Sequence, residues 1–326
     1  MKRHIRLLSS VTAIIVLSAA MIPTAANAQE AKKQRLINKS YDVTSNDRLI
    51  IENQFGNVVV STWDKPQITV DIEIGARAAT DSKAQDIMDK INVRDSRNGR
   101  EIHFKTDVDE IHNSNKMKGD KGRDNENGRG FYIDYVVHMP ASNGLKIDNS
   151  FGKTEVPALT GPVTLISKFG SLNAGRLNNV DTVDVEFGKA DIDAINNGKV
   201  IVKFDKNAHI GKVEGNAKIS CEFSQNVEVR LTNNIQELSL SESYSGVRLI
   251  VDKDLSADFE VHSSFGRFHN ESDFNIDEKS EEGESGPRFD RDYAGKAGSG
   301  KARIRIKSSF GSVRLSHEGG KDRDDG

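Results

Sequence analysis

The phrase "SSFGRF" at Ser263 returns as "SSFGSV" at Ser308, 45 residues later. A catalytic motif occurs once. A phrase that recurs at a fixed phase marks a structural unit, and it constrains the fold more tightly than composition does. The same phrase stands as "NQFGNV" around Phe55, "NSFGKT" around Phe151, "SKFGSL" around Phe169 and "VEFGKA" around Phe187. Looser copies are "VKFDKN" around Phe204, "CEFSQN" around Phe223 and "ESYSGV" around Tyr244, and the series ends with Phe265 and Phe310. From Phe151 the steps are 18, 18, 17, 19, 21 and 21 residues, then 45, and Phe55 lies 96 residues ahead of Phe151.

Aligned on the aromatic, the residues two, four and six places earlier alternate with polar ones. Val163, Leu165 and Ser167 precede Phe169, and Asp181, Val183 and Val185 precede Phe187. The residue four before the aromatic is aliphatic in all nine copies, from Ile51 to Ile306. This is period two, the signature of a strand with one buried face. After the aromatic the apolar positions fall at three and five, as in Leu172/Ala174 and Val313/Leu315. That odd step demands a turn at the phrase. The expectation is an inward aromatic, with permissive backbone supplied by Gly56, Gly152, Gly170, Gly188, Gly266 and Gly311. Phe204 and Phe223 lack the glycine and have their apolar positions one residue later, which predicts longer corners.

The fold class expected is all-β: a single-stranded parallel β-solenoid of 17–21-residue coils, each about 60 Å around. The outward row Lys168, Glu186, Lys203, Glu222 predicts a ladder of alternating charge. A short helix and a strand insert are expected near the N-terminus, with Ala84, Ile87, Met88 and Ile91 on one helix face and a Ser82/Gln85 capping box.

Residues 1–28 read as a secretory signal peptide. Lys2, Arg3 and Arg6 precede an apolar run and "ANA" at 26–28, which places Gln29 first in the mature chain. Residues 29–143 then hold the first coil and the insert, with a disordered loop at 107–130. Residues 144–316 form the coils, with an acidic loop insert at 271–300, and 317–326 is a disordered tail. The net charge of −3 leaves no basic footprint for nucleic acid. A lone Cys221 cannot make an internal disulfide, and its column position predicts a buried, inert thiol.

In that order of parts the chain resembles the bacterial putative-adhesin family of unknown function, also called the toastrack domain. The resemblance is carried by "NQFGNVVV", then "ITVDIEIGARA" with a helix after it, then "YVVHMPASNGLKIDNSFG" and further coils. It covers most of the chain beyond residue 28. It implies a β-helix-like fold in an exported or envelope-facing protein, and it brings no catalytic residues.

No motif specifies chemistry. Outward acids such as Asp184, Glu186, Glu222 and Glu260 are what a chain with 29% charged residues supplies by placement alone. His262 and His269 bracket a corner without a ligand set, and no calcium-loop pattern occurs, so neither metal nor cofactor is expected. Glu242 stands in an inward column; a local shift in pairing beside Tyr244 is expected to bring it to water. Arg303, Arg305 and Lys307 make an outward basic stripe, expected to guard the solenoid's last edge. The function read from the sequence is a non-catalytic, adhesin-like binding or scaffolding protein of the cell envelope, periplasmic or at the cell surface. Its partner would be an envelope polymer or an envelope protein, and the mature chain would carry no transmembrane span. The alternatives are a polysaccharide-acting hydrolase or lyase on a β-helix, with its site in the groove formed by the inserts, and an envelope-stress accessory that binds another protein.

Overall fold

The computed structural model describes residues 30–108, 130–279 and 289–319. The chain opens with β1 (Ala31–Asp42), β2 (Arg48–Gln54), β3 (Val58–Thr62) and β4 (Gln67–Ala78), then α1 (Asp81–Asp89). It continues with β5 (Asn92–Asn98), β6 (Glu101–Asp107), β7 (Gly130–Met139), β8 (Gly144–Ser150), β9 (Lys153–Val156) and β10 (Leu159–Lys168). Four long strands each run from one aromatic phrase to the next: β11 (Ser171–Glu186), β12 (Lys189–Lys203), β13 (Ala208–Glu222) and β14 (Val227–Ser243). The remainder is β15 (Gly246–Val251), β16 (Ala257–Ser264), β17 (Arg267–Asn270), β18 (Ile276–Glu278), β19 (Asp290–Ala297), β20 (Ala302–Ser309) and β21 (Ser312–His317).

Successive repeats pair in parallel and in phase. Ile147, Leu165, Val183, Val200, Ile219 and Leu240 are consecutive partners. On the far side of the corner so are Leu172, Ala190, Ala208 and Val227. Both rows are buried and join one core. A fully buried Val or Leu contributes about 1.5–3 kcal/mol relative to exposure, so each coil is held mainly by its two neighbours.

Three expectations about the stack need correction. First, the sheet is mixed and open, not a purely parallel solenoid. At the N-terminal end β1 pairs antiparallel with β4, β4 with β7, and β5 with β6. At the other end β19 pairs antiparallel with β16 and β18. A parallel stack exposes an unpaired backbone row at each end, and hairpins folded back on those rows satisfy it.

Second, the order of coils is not the order of the chain. β20 and β21 lie between the coil of β14–β15 and that of β16–β17. The basic stripe is therefore interior. Arg303 pairs with Glu237 on one side and Asp258 on the other. Arg305 reaches Glu237 and Glu260. Direct pairing of β14 with β16 would bring acidic rows together, and the basic strand separates them. β2, likewise distant in sequence, pairs in phase with β8 and with β6.

Third, the insert at 271–300 is not simply a loop, because it supplies β18 and β19. Residues 280–288 of it lie outside the described part. Of the loop expected at 107–130, residues 109–129 lie outside as well, whereas Val108 is buried and Gly130 begins β7. His317, placed in the tail by the sequence, ends β21 and bonds the carbonyl of Val251 at 3.0 Å. Residues 320–326 and the expected signal peptide fall outside the described residues. No helix among the described residues is long and apolar enough to cross a membrane.

The helix forms where its apolar spacing predicts, burying Ala84, Ile87 and Met88. Its cap is different. Thr80, not Ser82, is the N-cap and accepts from the Lys83 amide at 3.3 Å; Gln85 bonds Asp89 at 2.8 Å instead.

Candidate functional site

The repeated phrase builds one continuous feature. Phe55, Phe151, Phe169, Phe187, Phe204, Phe223, Tyr244, Phe310, Phe265 and Phe289 form a single file of rings. From Phe55 to Phe265 the centroids are 4.5–5.3 Å apart and the planes within 2–7°. Phe289 closes the file at 4.8 Å and 18°. Nine of the ten rings are the aromatics singled out in the sequence. Phe289 carries no such phrase and comes from the insert, so no sequence signal marks it.

The rings point outward, contrary to the expectation. Phe55 is buried and Phe151 half-buried, but the other eight are 44–57% exposed. Backbone geometry explains the reversal. Each of the nine repeat aromatics has φ between 50° and 62°, the left-handed region that L-residues adopt at a cost. The left-handed turn falls on the aromatic, and it throws the ring out of the corner. Its amide meanwhile stays in the ladder: Phe169 donates to the carbonyl of Glu186 and Phe187 to that of Lys203, at 2.9 and 3.0 Å. Ring stacking, worth about 0.5–1.5 kcal/mol per pair, and this hydrogen bond offset the strain.

The corner glycines have a different task from the one expected, and none of the six has positive φ. A Cβ on Gly170 would lie 1.9 Å from the carbonyl oxygen of Gly152, and one on Gly188 would lie 2.1 Å from that of Gly170. Gly152 meets the Gly56 carbonyl in the same way, and Gly56 meets that of Ile133. Gly311 is hemmed in by Ser245 and Glu242, and Gly266 by Ser308. They are glycines because coils approach too closely there for a side chain.

Where glycine is missing, polar side chains replace the close approach. The Gly188 amide donates to Asp205 Oδ1 at 2.6 Å. The Asp205 amide donates to Ser224 Oγ at 3.2 Å, and the Ser224 amide to Ser245 Oγ at 3.0 Å. The Ser245 amide donates to Glu242 Oε2 at 3.1 Å. Asp205 is buried, and its Oδ2 has no hydrogen-bond partner. Burial pushes its pKa up to about 6, against the opposing pull of the Gly188 amide.

Glu242 ends this chain. Pairing there is unshifted, with Cys221 on one side and Ser308 on the other, so the side chain stays 3% exposed and does not reach water. Ser308 Oγ donates to Oε1. Burial raises the Glu242 pKa, with Ser308 and the amides of Ser245 and Ser309 acting against it. Cys221 is buried and its thiol is pushed up to about 12, first by burial and then by Glu242 and Glu222. At the other end of the same column Asn53 bonds Asn149 at 3.1 Å and accepts from Thr106 at 3.0 Å.

Two rows flank the ridge. Just before the rings, Lys168 meets Glu186 at 3.4 Å and Lys203 meets Glu186 at 3.9 Å. In strand register the row just past the rings is Asn57, Lys153, Ser171, Lys189, Asn207, Asn226, Gly246, Ser312 and Arg267, which holds no acid, and Lys206 adjoins it in the longer corner after Phe204. The outward acids singled out in the sequence are spread over three strands. Asp184 and Glu186 stand two residues apart on β11, Glu186 meets Lys168 at 3.4 Å, Glu222 ends β13 and Glu260 lies on β16. An open hollow beside β9, β11 and β12 is lined by Glu155, Asp191 and Asp193; Glu155 is ion-paired with Lys153, and Asn173 lies between it and Asp191. His262 bonds Asp292 at 2.9 Å. No group of three or more acidic, His or Cys residues able to hold a metal occurs among the described residues.

The corner opposite the ridge was missed by the sequence reading. It is rich in Asn and Gly: Asn197 has φ of 63°, Gly198 of 102° and Gly215 of 66°. Asn197 Oδ1 accepts the Asn216 amide of the next coil at 2.9 Å. The recurring "NN" of "LNNV", "INNG" and "TNNI" was its available signal.

No family model matches the chain, and no curated protein matches it in sequence. Among solved structures it is similar to a putative cell adhesion protein from Clostridium sporogenes, at 11% identity and a TM-score of 0.25, covering 88% of this chain and 100% of the other. It is also similar to a putative adhesin from Bacteroides fragilis, at 9% identity and a TM-score of 0.38, covering 86% and 97%. A third is a putative lipid binding protein from Parabacteroides distasonis, at 9% identity and a TM-score of 0.31, covering 86% and 96%.

Proposed function

We propose that this chain is a non-catalytic, exported protein of the cell envelope, a binding or scaffolding solenoid that works by display. One observation carries the reading: successive repeats pair in phase, so outward side chains stand in straight rows at one strand spacing, the ring file among them. A rigid body with regular rows suits a repetitive polymer or an extended partner surface better than a single small molecule. The solenoid spans the repeats from residue 144 to 316, and the hairpins at its ends keep it from growing by edge pairing.

The test is co-sedimentation of the chain from Gln29 with separated peptidoglycan, outer-membrane vesicles and exopolysaccharide. Saturable binding to one fraction is the expected result, and its salt dependence reports how much charge contributes. Absence of binding to all three sinks the polymer and surface forms of the reading and leaves a protein partner.

A further inference from the structure

Display alone leaves the ring file unexplained. Eight consecutive rings, Phe169 to Phe289 in spatial order, are each about half exposed. At one strand spacing per step the exposed line runs roughly 35 Å. Exposed apolar patches of this extent mark interaction surfaces.

The geometry restricts what can sit there. From Phe169 to Phe265 each ring face is covered by the next ring at about 5 Å, so only edges are free along the file. Stacking a sugar on an aromatic needs a face. The rings also stand at a corner between two strands, so the ridge is convex and encloses nothing. A straight convex line of apolar edges fits a broad, deformable apolar surface.

Charge names its sign. Of the nine residues in the row after the rings, three are basic and none acidic: Lys153, which pairs with Glu155, Lys189 and Arg267; Lys206 adds a fourth basic residue from the longer corner beside them. Lys189, Lys206 and Arg267 are exposed. The row before the rings balances its lysines against glutamates within the chain. A locally basic ridge on a chain of net charge −3 is turned towards an anionic surface. Pairing two ridges head to tail would set this basic row against its own copy, which disfavours that form of self-association, and the glutamates a side-by-side pairing would offer instead are engaged, as at Glu186, by lysines of their own row.

We propose that the aromatic ridge docks edge-on against an anionic lipid bilayer, with ring edges in the interfacial zone and Lys189, Lys206 and Arg267 against the headgroups. This rests on the envelope-binding reading above and names its surface.

The experiment is flotation of the chain from Gln29, which contains every described residue, with vesicles of phosphatidylcholine alone or mixed equally with phosphatidylglycerol. Peptidoglycan co-sedimentation is run beside it. Binding to the anionic vesicles is expected, weakened by salt. The K189E/K206E variant, with unchanged circular dichroism, is expected to lose at least about tenfold in partition. Phe204→Asn/Phe223→Asn tests the rings, since Asn tolerates the left-handed backbone; K32E/K33E on β1 is the remote control and is expected to bind as the parent does. Vesicle binding that is absent, indifferent to phosphatidylglycerol, or unmoved by the ridge variants overturns the inference. If peptidoglycan is bound at the same time, the envelope-binding reading survives that failure. If neither is bound, the inference falls and the envelope-binding reading is left with exopolysaccharide or a protein partner. Self-association lost in the ring variant, without vesicle binding, would make a second copy the occupant and also overturn it.

Discussion

Asp205 occupies a corner where three preceding coils use glycine, and replacing it with Asn gives a test whose size follows from the structure. The carboxylate is buried, its Oδ1 accepts one amide, and its Oδ2 meets no partner. Its pKa moves from an ordinary 3.8 to about 6. At about 1.36 kcal/mol per unit, ionisation is roughly 3 kcal/mol less favourable in the folded chain than in the unfolded one. The sign follows from proton binding. Between 3.8 and 6 the folded state holds a proton that the unfolded state has released, so stability falls as pH rises through that window. About 1 kcal/mol of the penalty is present at pH 4.5 and all of it at pH 7.5. Asn keeps the acceptor for the Gly188 amide and removes the charge. The advantage of Asp205→Asn over the parent is therefore expected to grow by about 2 kcal/mol from pH 4.5 to 7.5. Urea unfolding followed by circular dichroism at the two pH values measures it. A difference that stays constant, or narrows at pH 7.5, refutes the assignment of that charge cost to Asp205.

Other perturbations follow from the same corner. Gly170→Ala forces a Cβ onto the Gly152 carbonyl and is expected to cost about 3 kcal/mol or more, read as a fall in urea midpoint. Phe187→Ala removes two stacking contacts and is expected to cost about 1–3 kcal/mol. Phe187→Gly should be the milder of the two by about 1 kcal/mol, because it also releases the left-handed backbone; the reverse order in thermal melts would count against strain at the ring. Glu242→Ala strands the Ser308 hydroxyl and the Ser245 amide and should lose about 3 kcal/mol, whereas Glu242→Gln, able to keep one oxygen acceptor, should lose less.

The strands were legible because period two and the aliphatic residue four before each aromatic report burial directly; Val183 and Ile219 stand where the pattern puts them. Facing was less legible. Phe and outward exposure conflict in any hydropathy reading, and only φ at the aromatic resolves the conflict. Glycine carried a false lead, since its enrichment marks either a turn or a close approach, and here it marks the second. Coil order was illegible for another reason. "SSFG" at 263–266 and "SSFG" at 308–311 offer nearly the same columns, so pattern alone cannot say which lies beside β14. The decision falls to charge, in the acids at Glu237, Asp258 and Glu260 that Arg303 and Arg305 separate. Glu242 followed from the same order, for its partner Ser308 arrives only with the inserted coil.

That inserted coil makes completion of the fold depend on a segment made after the coils on either side of it. The repeats from Phe151 to Tyr244 can zip in the order of synthesis, each finding its neighbour about twenty residues away. The coil of β16 and β17 cannot take its place so simply, because the surface it finally rests on is β20 and β21, which come after it. A chain that stops at Gly300 lacks the strand that rests beside β14, the Ser308 hydroxyl that bonds Glu242 and the basic row between two acidic ones. Its edge would be open to whatever strand comes by. Synthesis carried through β21 is thus read out as a closed edge, and a product that stops short of it as a sticky one.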